Sequence, residues 1–133
     1  MLNSLDASFR FQQDALKLRG YRQELLASNI ANADTPGYKA KDIDFARELQ
    51  RVQGTQANRV GLATTSVAHL QSQQGNPMNA NVMYRTPTQP SIDGNTVDSE
   101  VETAQFSDNA IRYQASLTFM TMQIKNMLSA IQG

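Results

Sequence analysis

The sequence predicts a mainly α-helical protein in which long N- and C-terminal helices pack as a coiled-coil-like pair, with an irregular, loop-rich middle. Three observations lead to this fold class. Residues 1–33 contain no proline and a single glycine. The C-terminal residues repeat apolar side chains every three or four positions, as a helix packed along a seam does. All four prolines and five of the seven glycines lie between these parts. The chain is therefore divided into an N-terminal helix within 1–34, a middle segment of 35–97, and a C-terminal helix within 98–133.

The N-terminal helix is predicted from residue 2 to about residue 33. Two adjacent rows of mostly apolar positions run along it with a spacing of three or four residues. Together they form a surface wide enough to contact more than one neighbouring helix. From the first row we assign five residues to an assembly seam: Leu5, Phe9, Leu16, Leu26 and Ile30.

This helix is expected to end at Thr35, because a residue that precedes proline is displaced from the helical region of backbone conformation. Pro36 and Gly37 then suit the two central positions of a type II turn, the second of which requires a positive φ. Taken by their spacing alone, these residues are better explained by an ordinary helix stop, because Pro-Gly turns are common.

The middle segment is far longer than an ordinary loop, which indicates a functional or a partly disordered connection. Residues 42–51 are compatible with a short helix, and residues 60–66 and 81–85 with short extended pieces. Asp42 and Asp44 lie two positions apart, so their side chains would diverge on a helix. We therefore interpret this pair as a helix cap and a surface charge.

The C-terminal helix is predicted over about residues 98–131. Asp98 is a suitable N-cap, and the carboxylates of Glu100 and Glu102 suit the positive end of the helix dipole. A 3.5-residue apolar repeat maintained along the helix implies packing in a left-handed supercoil. We assign this repeat to the assembly seam as well: Phe106, Ala110, Tyr113, Leu117, Met120, Ile124, Met127 and Ile131.

Composition argues against several classes of function. Twelve basic and twelve acidic residues cancel, so there is no electrostatic case for a nucleic-acid partner. The chain has no cysteine, which excludes disulfides and thiolate metal sites, and His69 is its one histidine. The serines near the N-terminus have no base partner at a suitable spacing. We expect no catalytic, cofactor-binding or metal site, and no small-molecule substrate.

A motif at the end of the first helix is the most specific feature of the sequence. The string Asn-Ile-Ala-Asn-Ala-Asp-Thr-Pro-Gly-Tyr occupies residues 29–38. It resembles the N-terminal motif of the flagellar rod, hook and hook-associated proteins. We assign six residues to this family motif: Asn29, Asn32, Thr35, Pro36, Gly37 and Tyr38. Within that group, the strings at residues 11–13, 22–24, 41–45, 84–87 and 89–98 resemble the proximal rod protein family, FlgB; residues 55–79 match poorly.

This resemblance implies a structural subunit of the flagellar basal-body rod that assembles through its terminal helices as a homo-oligomer within a helical rod. The implied partners are other flagellar rod proteins, the basal-body adaptor and MS ring, and the flagellar type III export apparatus. The N-terminus offers no signal peptide, because Asp6, Arg10 and Asp14 interrupt the segment where an apolar region would lie. Members of this family are exported without a cleaved signal, which implies a periplasmic position in the basal body.

A soluble helical-hairpin adaptor or an export chaperone is the alternative. It explains the apolar repeats equally well, but it does not explain the motif at residues 29–38. The motif asparagines also have two interpretations. Asn29 and Asn32 either mark the end of the helix, where asparagine is tolerated, or restrict the register of a packed seam.

Overall fold

The computed structural model describes residues 2–57, 80–87 and 89–133 and confirms the mainly helical fold class. Helix α1 spans Leu2–Ala31, and helix α3 spans Ser99–Gln132. Between them lie strand β1 (Lys41–Ile43), helix α2 (Phe45–Ala57) and strand β2 (Val82–Tyr84). None of the described helices is both long enough and apolar enough to cross a lipid bilayer.

Helices α1 and α3 form an antiparallel pair. Near the start of α3, Glu102 accepts a hydrogen bond from Asn29 close to the end of α1. Two turns further along α3, the side chain of Asn109 donates to the backbone oxygen of Arg19, earlier in α1. The partner number on α1 therefore falls as the chain advances along α3, as antiparallel packing requires.

The side of α3 that is turned towards α1 differs in part from the predicted row. The buried and half-buried positions that alternate by four and three residues form what we call the contact face: Glu102, Phe106, Asn109, Tyr113, Ser116, Met120, Gln123 and Met127. It shares Phe106, Tyr113, Met120 and Met127 with the predicted row. At its other positions, however, the contact face has polar side chains.

The remaining predicted positions on α3 lie beside the contact face. Ala110, Leu117 and Ile124 each directly follow a polar member of it, and Ile131 lies one turn beyond its last residue, Met127. Ala110 is half-buried there. The other three, which we call the outer row, are Leu117, Ile124 and Ile131, and they are 38%, 43% and 82% exposed. One residue corresponds to about 100° around a helix, so the outer row is turned away from the centre of the pair. An apolar repeat by itself does not distinguish these two neighbouring rows.

Strands β1 and β2 pair antiparallel, with Lys41 opposite Tyr84 and Ile43 opposite Val82. The extended piece expected at residues 81–85 is thereby confirmed. The short helix expected at residues 42–51 is placed too early, because Asp42 lies in β1 and the helix begins at Phe45.

Two local observations explain the later start of α2. The backbone at Asp42 is taken up by its pairing with Met83 on β2. Asp44 then acts as the N-cap, since its carboxylate accepts the Arg47 N–H at 3.2 Å. The extended piece expected at residues 60–66 and the residue His69 lie outside the described residues.

The predicted boundaries of the terminal helices lie close to the observed ones. Helix α1 ends at Ala31, two residues before the expected end near residue 33, and α3 begins directly after the predicted cap, Asp98. The carboxylate of Asp98 accepts the N–H groups of Glu100 at 3.1 Å and Val101 at 3.3 Å, which caps α3. After α1, the Tyr38 N–H donates to the Thr35 oxygen at 3.2 Å, and Gly37 has a φ of +72°. These are the features of the expected type II turn.

Polar side chains occupy much of the interior. Among the described residues, the buried apolar side chains are Leu18, Leu26, Ala40 and Ile43. The buried polar or charged ones are Asn29, Glu48, Asn95, Glu102 and Asn109. Buried polar groups need specific partners, so their hydrogen bonds decide how the elements fit together.

Candidate functional site

The motif residues lie at a junction where the end of α1, strand β1, residues 91–98 and the start of α3 meet. Asn29 is buried and Asn32 and Tyr38 are half-buried, whereas the residues of the turn itself, Thr35, Pro36 and Gly37, are exposed. The motif therefore contributes one fully enclosed side chain, and its turn faces the surface.

Asn29 uses every hydrogen-bonding position of its side chain. Its Nδ2 donates to the backbone oxygen of Lys41 at 2.7 Å and to Glu102 Oε2 at 3.0 Å. Its Oδ1 accepts the Lys41 N–H at 3.0 Å and the Tyr38 hydroxyl at 3.3 Å. Asn29 thus binds the outer edge of β1 as a neighbouring strand would, and it contacts α3 with the same amide group. This geometry supports the register interpretation of Asn29.

Asn32 makes its hydrogen bonds locally. Its Nδ2 donates to the Ser28 oxygen at 2.8 Å, and its Oδ1 accepts the Thr35 hydroxyl at 3.1 Å. Both partners belong to the last turn of α1 or to the chain directly after it. The geometry of Asn32 therefore supports the helix-end interpretation.

Four charged side chains beside Asn29 form what we call the junction cluster: Arg22, Asp42, Arg85 and Glu102. Arg22 binds Asp42 through Nε and Nη2, each at 2.9 Å, in a two-pronged pairing that favours arginine. Arg85 donates to both Asp42 and Glu102. The Glu102 side chain is 1% exposed and the Asp42 side chain 17%. Two positive and two negative charges balance within a largely buried site, as buried ions require.

The surroundings of Asp42 favour its ionised form. Burial alone would raise the pKa of this carboxyl, but hydrogen bonds from Arg22, from Arg85 and from the Ile43 N–H outweigh burial and lower it. The hydrogen bond to Asp42 likewise raises the pKa of Arg22. Asp42 is therefore an ion-pair partner, which corrects its assignment as a cap or surface charge; Asp44 provides the cap.

Asn95 binds the turn that follows α1 from the other side of the junction. Its buried Nδ2 donates to the backbone oxygens of Asn32 at 3.0 Å, Ala33 at 2.8 Å and Thr35 at 2.9 Å. These carbonyls lie in the turn that follows α1, and the buried amide binds them where water otherwise would. In the sequence, Asn95 is distinguished only as part of the string at residues 89–98.

Backbone hydrogen bonds extend this docking of the segment before α3. The Gly37 N–H donates to the Asp93 oxygen at 2.9 Å, and the Thr96 N–H donates to the Tyr38 oxygen at 3.0 Å. The Thr96 hydroxyl in turn accepts the Ala40 N–H at 2.8 Å. The two strings of sequence that carried the family resemblance, 29–38 and 89–98, are therefore bonded directly to each other.

The seam residues predicted on α1 and α3 lie at several depths. Leu26 is buried, and the half-buried ones are Phe9, Leu16, Ile30, Phe106, Ala110, Tyr113, Met120 and Met127. The exposed ones are Leu5, Leu117, Ile124 and Ile131. The helical pair therefore leaves apolar side chains of both helices in contact with solvent.

A groove of about 450 Å³ runs between the three helices on one side of the pair. Its walls include Phe11 of α1, Phe45 and Leu49 of α2, and Phe119 of α3. The Arg19 guanidinium lies 4.2 Å from the centre of the Phe45 ring, a cation–π distance. Burial, and then repulsion from Arg112 and Arg22, lower the pKa of Arg19.

What these arrangements can do is hold chain segments together. Within the described ranges, no group of three or more His, Cys, Asp or Glu side chains is placed to hold a metal ion. The charged residues of the junction cluster come from different parts of the fold and bind one another. The junction thus serves to position the elements, and the exposed apolar side chains are available to neighbours.

Comparison with known proteins supplies the biological setting. Residues 9–39 match the family model described as "Flagella basal body rod protein". The chain is 54% identical to the flagellar basal body rod protein FlgB of Escherichia coli (strain K12), over all of this chain and 99% of the relative. It is 51% identical to the FlgB protein of Salmonella typhimurium over the same shares. Identity to the FlgB protein of Aeromonas hydrophila is 46%, over 100% of this chain and 98% of the relative.

Proposed function

The chain belongs to the FlgB family of flagellar basal body rod proteins, a structural family, and from this premise we propose that it forms the proximal part of the rod, assembling through its terminal helices. In this role it joins the MS ring, through the basal-body adaptor, to the drive shaft. It is a homo-oligomer within the helical rod and contacts other rod proteins.

The observation that carries this proposal is the similarity over the whole chain, which includes the motif and both terminal helices. The structure adds a physical reason for assembly through the helices. Leu117, Ile124 and Ile131 remain exposed after α1 and α3 have paired. Apolar side chains left in water along one row favour burial against a neighbouring molecule.

The geometry also suits a growing filament. The outer row lies on one flank of α3, whereas the groove lined by Phe45 and Phe119 lies between the three helices on another. Contacts between different surfaces of successive copies are head-to-tail and do not close, so they extend a helical lattice. The proposed assembly core consists of residues 1–34 and 98–133, with residues 35–97 as the segment between its helices.

The proposal extends to how the subunit reaches the rod. We propose that the flagellar type III export apparatus delivers the chain without a cleaved signal, so that the assembled subunit lies in the periplasm. Because such export uses an unfolded chain, the helical pair forms after passage. The N-terminal helix is then retained in the mature subunit.

Isolated basal bodies test the proposal. We expect the chain to co-purify with the rod, with an intact N-terminus by mass spectrometry, and its helical pair to fit density directly beyond the MS ring. Deletion of its gene should remove the rod and filament, and the wild-type gene should restore both. A chain that is absent from purified basal bodies and recovered as a soluble dimer would support an adaptor or chaperone in its place.

A further inference from the structure

The junction cluster contains one side chain from each of α1, β1 and α3 and a fourth from the residue after β2. Arg22 comes from α1, Asp42 from β1 and Glu102 from the first turn of α3, while Arg85 directly follows β2. Arg85 also joins β2 to the chain before β1 through its backbone, donating its N–H to the Ala40 oxygen at 2.9 Å. No element of the junction is therefore held independently of the others.

The contacts form a closed ring. Arg22 binds Asp42, Asp42 binds Arg85, and Arg85 binds Glu102. Glu102 then accepts a hydrogen bond from Asn29, which returns the ring to α1. Asp42, Arg85 and Glu102 thus each contact two other members of the ring. Arg22 and Asn29, its two ends, are joined through helix α1.

Partly closed arrangements of this ring are unfavourable. If the strands were docked without α3, Arg85 would lose Glu102 and keep one carboxylate for its charge. If α3 were docked without the strands, Glu102 would keep its hydrogen bond from the neutral amide of Asn29 but lose its ion pair with Arg85, and Arg22 would lose Asp42. A buried charge without a counter-ion is strongly destabilising, so the closed and open states are favoured over those between them.

The ring also selects one register of the helices. Among the eight residues of the contact face, Glu102 is the only carboxylate. A shift of α3 by one heptad would place Asn109 beside Asn29, and Arg85 would then face a neutral side chain. The apolar members of the contact face recur with the same period and discriminate much less between the two registers.

We propose that this ring is a conformational latch: strands β1 and β2 close onto α1 only when α1 and α3 are paired in the register that places Glu102 beside Asn29. The latch couples the pairing of the two terminal helices to the ordering of strands β1 and β2. It concerns the folding of the chain itself and does not depend on the partners proposed for it.

Amide hydrogen exchange of the full-length chain tests the latch. Peptides that cover residues 37–43 and 82–85 report on the strands, and peptides that cover residues 18–29 and 102–109 report on the helical pair. The measurement is made with and without trimethylamine N-oxide, which favours compact states. In the wild-type chain, strands and helices should gain or lose protection together under both conditions.

The decisive variant is Glu102→Gln, which keeps an oxygen for Asn29 but removes one of the two carboxylates that bind Arg85. We expect the helices to remain protected while the strand peptides exchange at least about tenfold faster. The matched control is Asp108→Asn, which removes an exposed ion pair with Arg112 on the same helix and should leave exchange unchanged.

Three results would overturn the latch. The first is wild-type protection of the strand peptides in Glu102→Gln. The second is protection of the strands in a wild-type chain whose helices exchange freely. The third is an equal loss of protection in helices and strands of the variant, because Glu102 would then support the whole fold rather than the closing of the strands.

Discussion

Asn29 on α1 donates a hydrogen bond of 3.0 Å to Glu102 on α3, across 73 positions of the chain. Both side chains are buried, at 0% and 1% exposure. Asn29 also binds the N–H and the oxygen of Lys41, so one amide group fixes strand β1 and contacts the partner helix. The position of strand β1 and the register of the helical pair therefore depend on the same two side chains.

Replacing Asn29 by alanine should lower the free energy of unfolding by about 2–4 kcal/mol, because buried groups of Lys41 and Glu102 lose their partner. The control is Asn32→Ala, at a half-buried side chain with local partners, which should cost about 1 kcal/mol or less. Urea unfolding followed by circular dichroism measures both. An equal decrease in the free energy of unfolding in the two variants would contradict the central role of Asn29.

Replacing Gly37 by valine should destabilise the turn after α1 by about 1–3 kcal/mol, because Gly37 has a φ of +72° and a β-branched residue resists that conformation. Space is not the obstacle, since no atom lies within 4 Å of an added Cβ. Gly37→Asn is the control, because asparagine tolerates positive φ better and should cost less. Thermal unfolding ranks the three proteins; valine and asparagine variants of equal stability would refute a backbone cause.

The ion pairs of Asp42 should make the protein sensitive to acid. The folded-state pKa of Asp42 is lowered, so the stability that it contributes is fully present above the ordinary pKa of an aspartate. That contribution is lost as the pH falls through the lower, folded-state value. Urea midpoints measured from neutral pH downwards should fall steeply in the wild-type chain and in Asp108→Asn. The urea midpoint of Asp42→Asn should fall less steeply with pH. An identical pH dependence in all three proteins would exclude Asp42 as a source of the acid sensitivity.

Charges introduced on the two rows of α3 should separate assembly from folding. Met120 is half-buried beside Phe9 and Leu16 of α1, so Met120→Glu should destabilise the helical pair itself by several kcal/mol. Ile124 belongs to the outer row and is 43% exposed, so Ile124→Glu should cost the isolated subunit about 1 kcal/mol or less. Thermal unfolding of the purified variants measures this difference.

In cells, Ile124→Glu tests whether the outer row is an assembly surface. Ile124→Glu should then yield a stable, exported subunit that is missing from purified basal bodies, with loss of motility. Ser107→Glu, at an exposed polar position of the same helix, is the control and should assemble. Normal rods built from Ile124→Glu would show that Ile124 is not packed in the assembled state.

The terminal helices, their approximate boundaries and the turn at the end of the motif could be predicted from local rules. Asp98 caps α3 as expected, because its carboxylate acts on backbone groups two and three residues away. Gly37 has the positive φ that the Pro-Gly pair indicated. Such features depend on residues that are close together in the chain, so they can be recognised from the sequence.

The start of α2 and the role of Asp42 could not be predicted in the same way. Residues 42–51 have a helical pattern, but Asp42 pairs with Arg22 on α1 and with Arg85 beyond β2. These partners lie 20 and 43 positions away. A charge whose partners are brought together by folding looks, in the sequence, like any surface aspartate.

By itself, the sequence determined two long amphipathic helices, the caps and turn that bound them, and membership of a family through the strings at 29–38 and 89–98. The tertiary structure alone decided which row of α3 faces α1. Hydrophobicity favoured Ala110 and Leu117, whereas the contact face contains Asn109 and Ser116 at the equivalent places. The reason is physical: a polar side chain is stable in a contact when a partner such as Gln23 meets it there, and only the folded pairing of α1 with α3 brings that partner within 2.6 Å.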